Sequence, residues 1–130
     1  MNTRLLLLFA LLAYGAASLV HFTHNAVYID AYPNLPESLT PARVYLAWLV
    51  EAAIGATGYV LLARGQRKIG LALVALYAAL GFDGLAHYSL APMSAHSVAM
   101  NLTIWTEVLA ATVLLFVTAK VFLERYARPA

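Results

Sequence analysis

The chain contains no cysteine, which excludes disulfides, zinc sites with thiolate ligands, iron–sulfur clusters and dithiol redox chemistry. Charge is also scarce, because 11% of the residues are charged, against about a quarter in soluble domains. The net charge of +2 is too small to indicate a nucleic-acid partner. Hydrophobic residues make up 63% of the 130, and the mean hydropathy is +0.78. This composition favours an integral membrane protein.

Four apolar runs are separated by more polar connections. They cover about residues 5–22, 43–63, 69–89 and 97–123. Each approaches or exceeds the ~20 residues that cross ~30 Å of hydrocarbon. Such segments span as helices, because a helix satisfies its own backbone hydrogen bonds. The sequence therefore predicts a single domain over residues 1–130, an all-α integral membrane bundle of four transmembrane helices.

Lysine and arginine are distributed unevenly among the connections. Seven of the eight lie near the two ends of the chain or in the second connection, whereas Arg43 lies on the opposite side. Because basic residues are enriched in cytoplasmic loops, we expect both termini to be cytoplasmic. The first and third connections then face outward. The seven are Arg4, Arg64, Arg67, Lys68, Lys120, Arg125 and Arg128.

The first apolar run has an alternative interpretation as a cleaved signal peptide. Arg4 precedes an apolar core over 5–12, and small residues follow over 15–17. The apolar run continues through Leu19 and Val20, however, so we expect a retained span. Cleavage would leave three helices. The expected location is a plasma membrane, the inner membrane in a bacterium.

An aspartate and a histidine lie near the end of the third apolar run. Asp83 and His87 are four residues apart, a spacing that places both side chains on one face of an α-helix. Ionisable groups within membrane segments are costly, and they commonly mark functional sites with partners on neighbouring helices. The spacing therefore predicts a polar site on this face.

Most other acids and histidines fall on the side opposite to the basic connections. All four histidines and five of the six acids lie there, and Glu124 is the exception. At 1.5 Å per residue, Glu51 and Glu107 each lie about 15 Å from the outer ends of their helices. His21 lies near the outer end of the first helix. Acids from three helices and histidines from two are therefore expected to meet in one outward-facing region.

Imidazole and carboxylate groups without thiolates favour zinc, iron or manganese. Helix bundles build such sites from inward-facing Glu and His side chains. We therefore expect a divalent transition metal that supports chemistry on a lipid-soluble or small substrate. The predicted metal ligands are His21, Asp83, His87, Glu51 and Glu107, and the predicted catalytic groups are Glu51 and Glu107. The pattern Asp83-x3-His87 followed by His96 is also analogous to the copper site of membrane-bound monooxygenases, although the second spacing differs.

Four alternatives stay open at this point. The acids are also compatible with a metal-free membrane isomerase that uses general acid–base chemistry. His21 and His87 would suit a bis-histidine haem. The chain could instead be an accessory subunit or a proton or solute carrier, with the bilayer, a second copy or a larger membrane complex as partners. Finally, hydrogen-bonded acids could simply hold the helices together.

Overall fold

The computed structural model describes residues 2–126, with side chains up to Glu124. Arg128 and the side chain of Arg125, which contribute to the predicted orientation, lie outside the described residues. Short 3-10 turns cover Ile29–Ala31, Asp83–Ala86 and Met93–Ala95. The helices are α1 Thr3–Val27, α2 Pro41–Ala63, α3 Arg67–Leu80, α4 His87–Leu90 and α5 Val98–Tyr126. The all-helical prediction is confirmed.

Four helical segments are long and apolar enough to cross a membrane. These segments are Thr3–Val27, Pro41–Ala63, Arg67–Leu90 and Val98–Glu124. Many large apolar side chains are exposed on them, among them Leu12, Leu46, Leu109 and Phe116. So much exposed apolar surface is unusual for a soluble monomer and suits a protein whose flanks are covered by lipid.

The long helices begin at residues that the sequence marks as caps. The Thr40 hydroxyl accepts a hydrogen bond from the backbone N–H of Arg43 at 3.3 Å, and Pro41 occupies the first position of α2. Ser97 accepts a bond from the N–H of Met100 at 3.2 Å at the start of α5. The sequence offers two candidates for each cap, Ser38 or Thr40 and Ser94 or Ser97, and the structure selects Thr40 and Ser97.

The helices form a four-sided bundle. α1 packs against α2 and α5, and α3 packs against the same two neighbours, so α1 and α3 lie on a diagonal. α2 and α3 approach closely because glycines face each other. A Cβ atom added to Gly58 would lie 3.0 Å from the carbonyl oxygen of Gly70. Gly55 and Gly58 on one stripe of the second apolar run predict a close helix approach, and the structure shows it at Gly58.

The interior is divided into an apolar half and a polar half. The main apolar cluster lies nearer the basic connections and comprises Leu7, Ala10, Tyr14, Leu71, Val74, Tyr77, Ala78, Ala111, Leu114, Val117 and Val121. Buried polar side chains occupy most of the other half, namely Ser18, His21, Asn25, Glu51, His87, His96 and Glu107. The predicted partition of the bundle is confirmed.

The third span differs from the prediction of one continuous helix over about 69–89. α3 ends at Leu80, and a 3-10 turn follows over Asp83–Ala86. In a 3-10 helix, with three residues per turn, two side chains four residues apart are separated by roughly 120° around the helix axis. On an α-helix the same two side chains are separated by roughly 40°. Asp83 is accordingly exposed, whereas His87 is 8% exposed. The prediction of one continuous α-helix that carries Asp83 and His87 was therefore wrong, although both residues line the same cavity.

Candidate functional site

The polar half of the bundle is centred on His21 of α1 and Glu107 of α5. The Nε2 atom of His21 lies 3.6 Å from the Oε2 atom of Glu107, and the two residues are 2% and 0% exposed. This distance is too long for a hydrogen bond. Among the described residues, neither carboxylate oxygen of Glu107 has a hydrogen-bond partner. The two side chains are therefore buried and adjacent, but the carboxylate oxygens lack hydrogen bonds from the described residues.

The hydrogen bonds around His21 assign its tautomer. Thr103 donates its hydroxyl hydrogen to the carbonyl oxygen of Met100 at 3.0 Å. Nδ1 of His21 lies 3.3 Å from the same hydroxyl oxygen, so in the neutral ring it must be Nδ1 that donates. The lone pair of Nε2 then faces Glu107. A neutral pair consequently places one transferable proton on the Glu107 carboxyl group.

His87 lies beside this pair. The amide nitrogen of Asn25 lies 3.2 Å from Nε2 of His87, so the amide donates and Nδ1 carries the ring hydrogen. That Nδ1 atom has no partner among residues 2–124. The ring centroid of His87 is 5.7 Å from that of His21 and 6.1 Å from that of His96. The three imidazoles thus form a row that leads from Glu107 towards the third connection.

Tyr32 closes the site on the side of the first connection. Its ring centroid lies 4.9 Å from that of His87, and its hydroxyl lies 2.9 Å from Nδ1 of His24. Burial raises the pKa of the Tyr32 hydroxyl, so the phenol stays protonated at neutral pH. Asn34 donates to the carbonyl oxygen of Leu90 at 2.9 Å and ties the connection to the end of α4.

A cavity of about 230 Å³ opens next to the pair. Apolar side chains of α1, α2 and the first connection form much of its wall. The polar residues that line it are His21, Asn25, Arg43, Asp83 and His87. An apolar cavity with a few polar groups is typical of small-molecule sites. Since His21 also contacts Glu107, it connects the cavity with the buried carboxyl group.

The structure brings some of the predicted site residues together and separates others. His21, Glu107 and His87 are neighbours, whereas Asp83 is exposed at the cavity and Glu51 is 9% exposed. Oε2 of Glu51, like both carboxylate oxygens of Glu107, has no hydrogen-bond partner among the described residues. Within the part of the chain that the structure describes, no group of three or more His, Asp or Glu side chains is arranged to hold a metal ion.

Two contributors to the site were missed: Asn25, because the first helix is longer than predicted, and Tyr32, which the sequence predicts at the headgroup level of the first connection. α1 continues to Val27, so Asn25 lies on the helix, four residues after His21 and on the same face. The buried positions 14, 18, 21 and 25 follow the helical period, and this was the available signal. Tyr32 was assigned to the headgroup level but is 4% exposed. A single aromatic in a proline-rich connection carries no signal for burial.

Comparisons of the chain with protein-family models, with curated proteins and with solved structures give no significant match. The function is therefore argued from the chemistry of the site.

Proposed function

We propose that this protein is a metal-free membrane isomerase that moves a proton on a small lipid-soluble molecule bound in the cavity beside His21. The observation that carries this proposal is the buried His21–Glu107 pair, whose Nε2 and Oε2 atoms are 3.6 Å apart and of which His21 lines an apolar cavity. A general base must be within reach of the bound molecule, and His21 meets that requirement. Burial keeps competing water away from the pair.

The pair can complete a catalytic cycle without another reagent. Because Glu107 does not line the cavity, both proton transfers to the bound molecule go through Nε2 of His21, which accepts a proton from one carbon and returns a proton to another. The double bond shifts, and no atom or electron is gained or lost overall. Between the two transfers the imidazolium of His21 lies 3.6 Å from Oε2 of Glu107, whose charge state sets how readily His21 takes up and gives back the proton.

The orientation and location are part of the same proposal. Arg4, Arg64, Arg67 and Lys68 lie at the end of the bundle opposite to the cavity, and Arg43 lies on the cavity side. This bias supports cytoplasmic termini and a cavity in the outer leaflet of a plasma membrane. A lipid-soluble molecule would then reach the site from the bilayer.

The test is proton exchange in heavy water. The protein is purified in detergent, the molecules that copurify are extracted into organic solvent, and mass spectrometry follows the deuterium that each protein variant adds to them. We expect wild-type protein to label one extracted species. Replacing the general acid or base typically costs ~10²–10⁴-fold, so His21→Gln and Glu107→Gln should label that species at least ~100-fold more slowly.

The matched control is Glu124→Gln. It makes the same change to an exposed acid at the other end of the bundle, and labelling should stay at the wild-type rate. Equal rates in wild-type and Glu107→Gln protein would contradict the proposal, as would the absence of any labelled species.

Metal binding is the second candidate, and one observation favours it. His21 donates through Nδ1 to Thr103 while its Nε2 lone pair faces Glu107, which is the arrangement that metal-ligating histidines adopt. His87 is the nearest further donor. Elemental analysis of purified protein tests this prediction. Metal that is present in wild-type protein and lost in Glu107→Gln, together with proton exchange that stops when the metal is chelated, would favour metal binding over the metal-free proposal. The absorption spectrum of the same sample tests the haem prediction.

A further inference from the structure

A second cavity lies at the opposite end of the bundle and is not part of the proposed isomerase site. Its volume is about 120 Å³, and all four long helices contribute to it. Leu7, Leu71 and Val121 form an apolar floor and are 4%, 3% and 8% exposed. Arg4 and Arg67 line the same cavity and are exposed. We call this feature the basic-end cavity.

The two arginines carry positive charge that no described carboxylate neutralises. Neither guanidinium group has a carboxylate or hydrogen-bond partner within residues 2–124. The acid at this end, Glu124, lies 3.9 Å from Nζ of Lys120 and accepts a bond from Thr3 at 3.4 Å. Within residues 2–124, two guanidinium groups without a carboxylate partner therefore face one cavity.

The start of α3 adds to the positive field. Arg67 is the first residue of α3, a helix of 14 residues whose N-terminal end is not capped by any described side chain. A helix N-terminus carries a partial positive charge and free N–H groups. The cavity thus has cationic side chains above an apolar floor, at the end of membrane-length helices. These two features are complementary to the two parts of an anionic phospholipid, its charged headgroup and its acyl chain.

We propose that the basic-end cavity binds one anionic phospholipid, with its phosphate between Arg4 and Arg67 and the first part of an acyl chain on the apolar floor. Guanidinium groups suit this role because they bind phosphate oxygens with two parallel hydrogen bonds. A free phosphate ion would use the arginines but leave the apolar floor unmatched. The lipid would hold α1 and α3 together, since each supplies one arginine.

Native mass spectrometry of the full-length protein in detergent tests this proposal. The probes are phosphatidylglycerol and phosphatidylcholine of identical acyl chains, titrated separately. We expect one phosphatidylglycerol molecule to bind with at least tenfold higher affinity than phosphatidylcholine. Because each guanidinium group is expected to make charge-assisted hydrogen bonds to the phosphate, Arg4→Ala and Arg67→Ala should each weaken binding about tenfold or more.

Two further variants separate a built site from general charge attraction. Arg64→Ala removes the same charge at the same end, but Arg64 does not line the cavity, so phosphatidylglycerol binding should be unchanged. Ala63→Phe keeps every charge and fills the cavity from an exposed position, so binding should be lost. The proposal is overturned if Arg64→Ala weakens binding as much as Arg4→Ala, if Ala63→Phe binds normally, or if the two lipids bind equally.

Discussion

Among single residues, Glu107 offers the clearest test of whether a buried acid has a functional or a structural role. It is 0% exposed, and neither carboxylate oxygen has a hydrogen-bond partner within the described residues. An unsatisfied buried polar group costs about 1–3 kcal/mol. We therefore expect Glu107→Met, which keeps the side-chain length, to raise the free energy of unfolding by about 1–2 kcal/mol while abolishing proton exchange. Unfolding of detergent-solubilised protein, followed by circular dichroism, measures this.

Glu124→Met is the control for this substitution. Glu124 is exposed, so the same change should alter the free energy of unfolding by less than about 0.5 kcal/mol. A large loss of stability in Glu107→Met would instead show that the acid holds the helices together.

The Thr103 hydroxyl is expected to determine the tautomer of His21. Thr103→Val removes the acceptor of Nδ1 with little change in volume, so the ring should no longer be restricted to the Nδ1–H form. Nitrogen-15 NMR of labelled imidazoles reports the tautomer directly, and proton exchange should slow in parallel. Thr103→Ser retains the hydroxyl and should behave as wild type. An unchanged His21 spectrum in Thr103→Val would contradict the assignment.

The residues that the sequence could identify share one property. His21, Glu107 and His87 are ionisable groups in apolar runs, and their burial cost makes them conspicuous without coordinates. Asn25 and Tyr32 have no such property, because neither is ionised at neutral pH. Their positions depend on where α1 ends and on how the first connection folds back, which local sequence does not determine.

At the scale of elements, the broken third span is the feature that shapes the site. A Cβ atom added to Gly81 would lie 2.6 Å from the ring of Tyr14 and 2.7 Å from Cβ of Ala111. We therefore expect Gly81→Ala to destabilise the protein by about 1–3 kcal/mol through overpacking. Gly15→Ala is the matched control, since its Cβ would meet only Tyr77 Oη at 3.5 Å.

Opposite signs are expected for these two glycine substitutions. Gly15 lies within α1, where alanine is favoured over glycine by about 0.5–1 kcal/mol, so Gly15→Ala should be stabilising. Unfolding measurements on both variants decide the point. Destabilisation of similar size in both would mean that helix propensity and packing at Gly81 do not act as described.

Hydropathy could predict the spans but not the break in the third one. The apolar run continues from Leu80 through Phe82 and Leu85, so the local pattern favours an unbroken helix. The turn that follows the break brings the backbone close to the buried acid, since a Cβ atom added to Gly84 would approach Oε2 of Glu107 to 3.3 Å. Such a contact joins residues far apart in the chain, and it became visible only with the coordinates.

For the molecule as a whole, the sequence was sufficient to predict four helices long and apolar enough to cross a membrane, and the division of the interior. Burial of polar groups in one half and apolar groups in the other follows from where each type falls along successive antiparallel helices. The exact contacts within the polar half were less predictable, because helix rotation decides whether an acid such as Glu51 meets its neighbours. Three acids at similar depth therefore did not make one cluster.

The remaining property of the whole molecule is its orientation, and the absence of cysteine makes it directly testable. Gln66→Cys and Glu37→Cys place single thiols at exposed positions in the second and first connections. With the basic end in the cytoplasm, a membrane-impermeant maleimide should label Glu37→Cys on intact cells and Gln66→Cys only after lysis. The wild-type chain, which has no thiol, measures the background. The reverse pattern would place the cavity in the cytoplasmic leaflet, and the substrate of the proposed isomerase would then have to come from inside the cell.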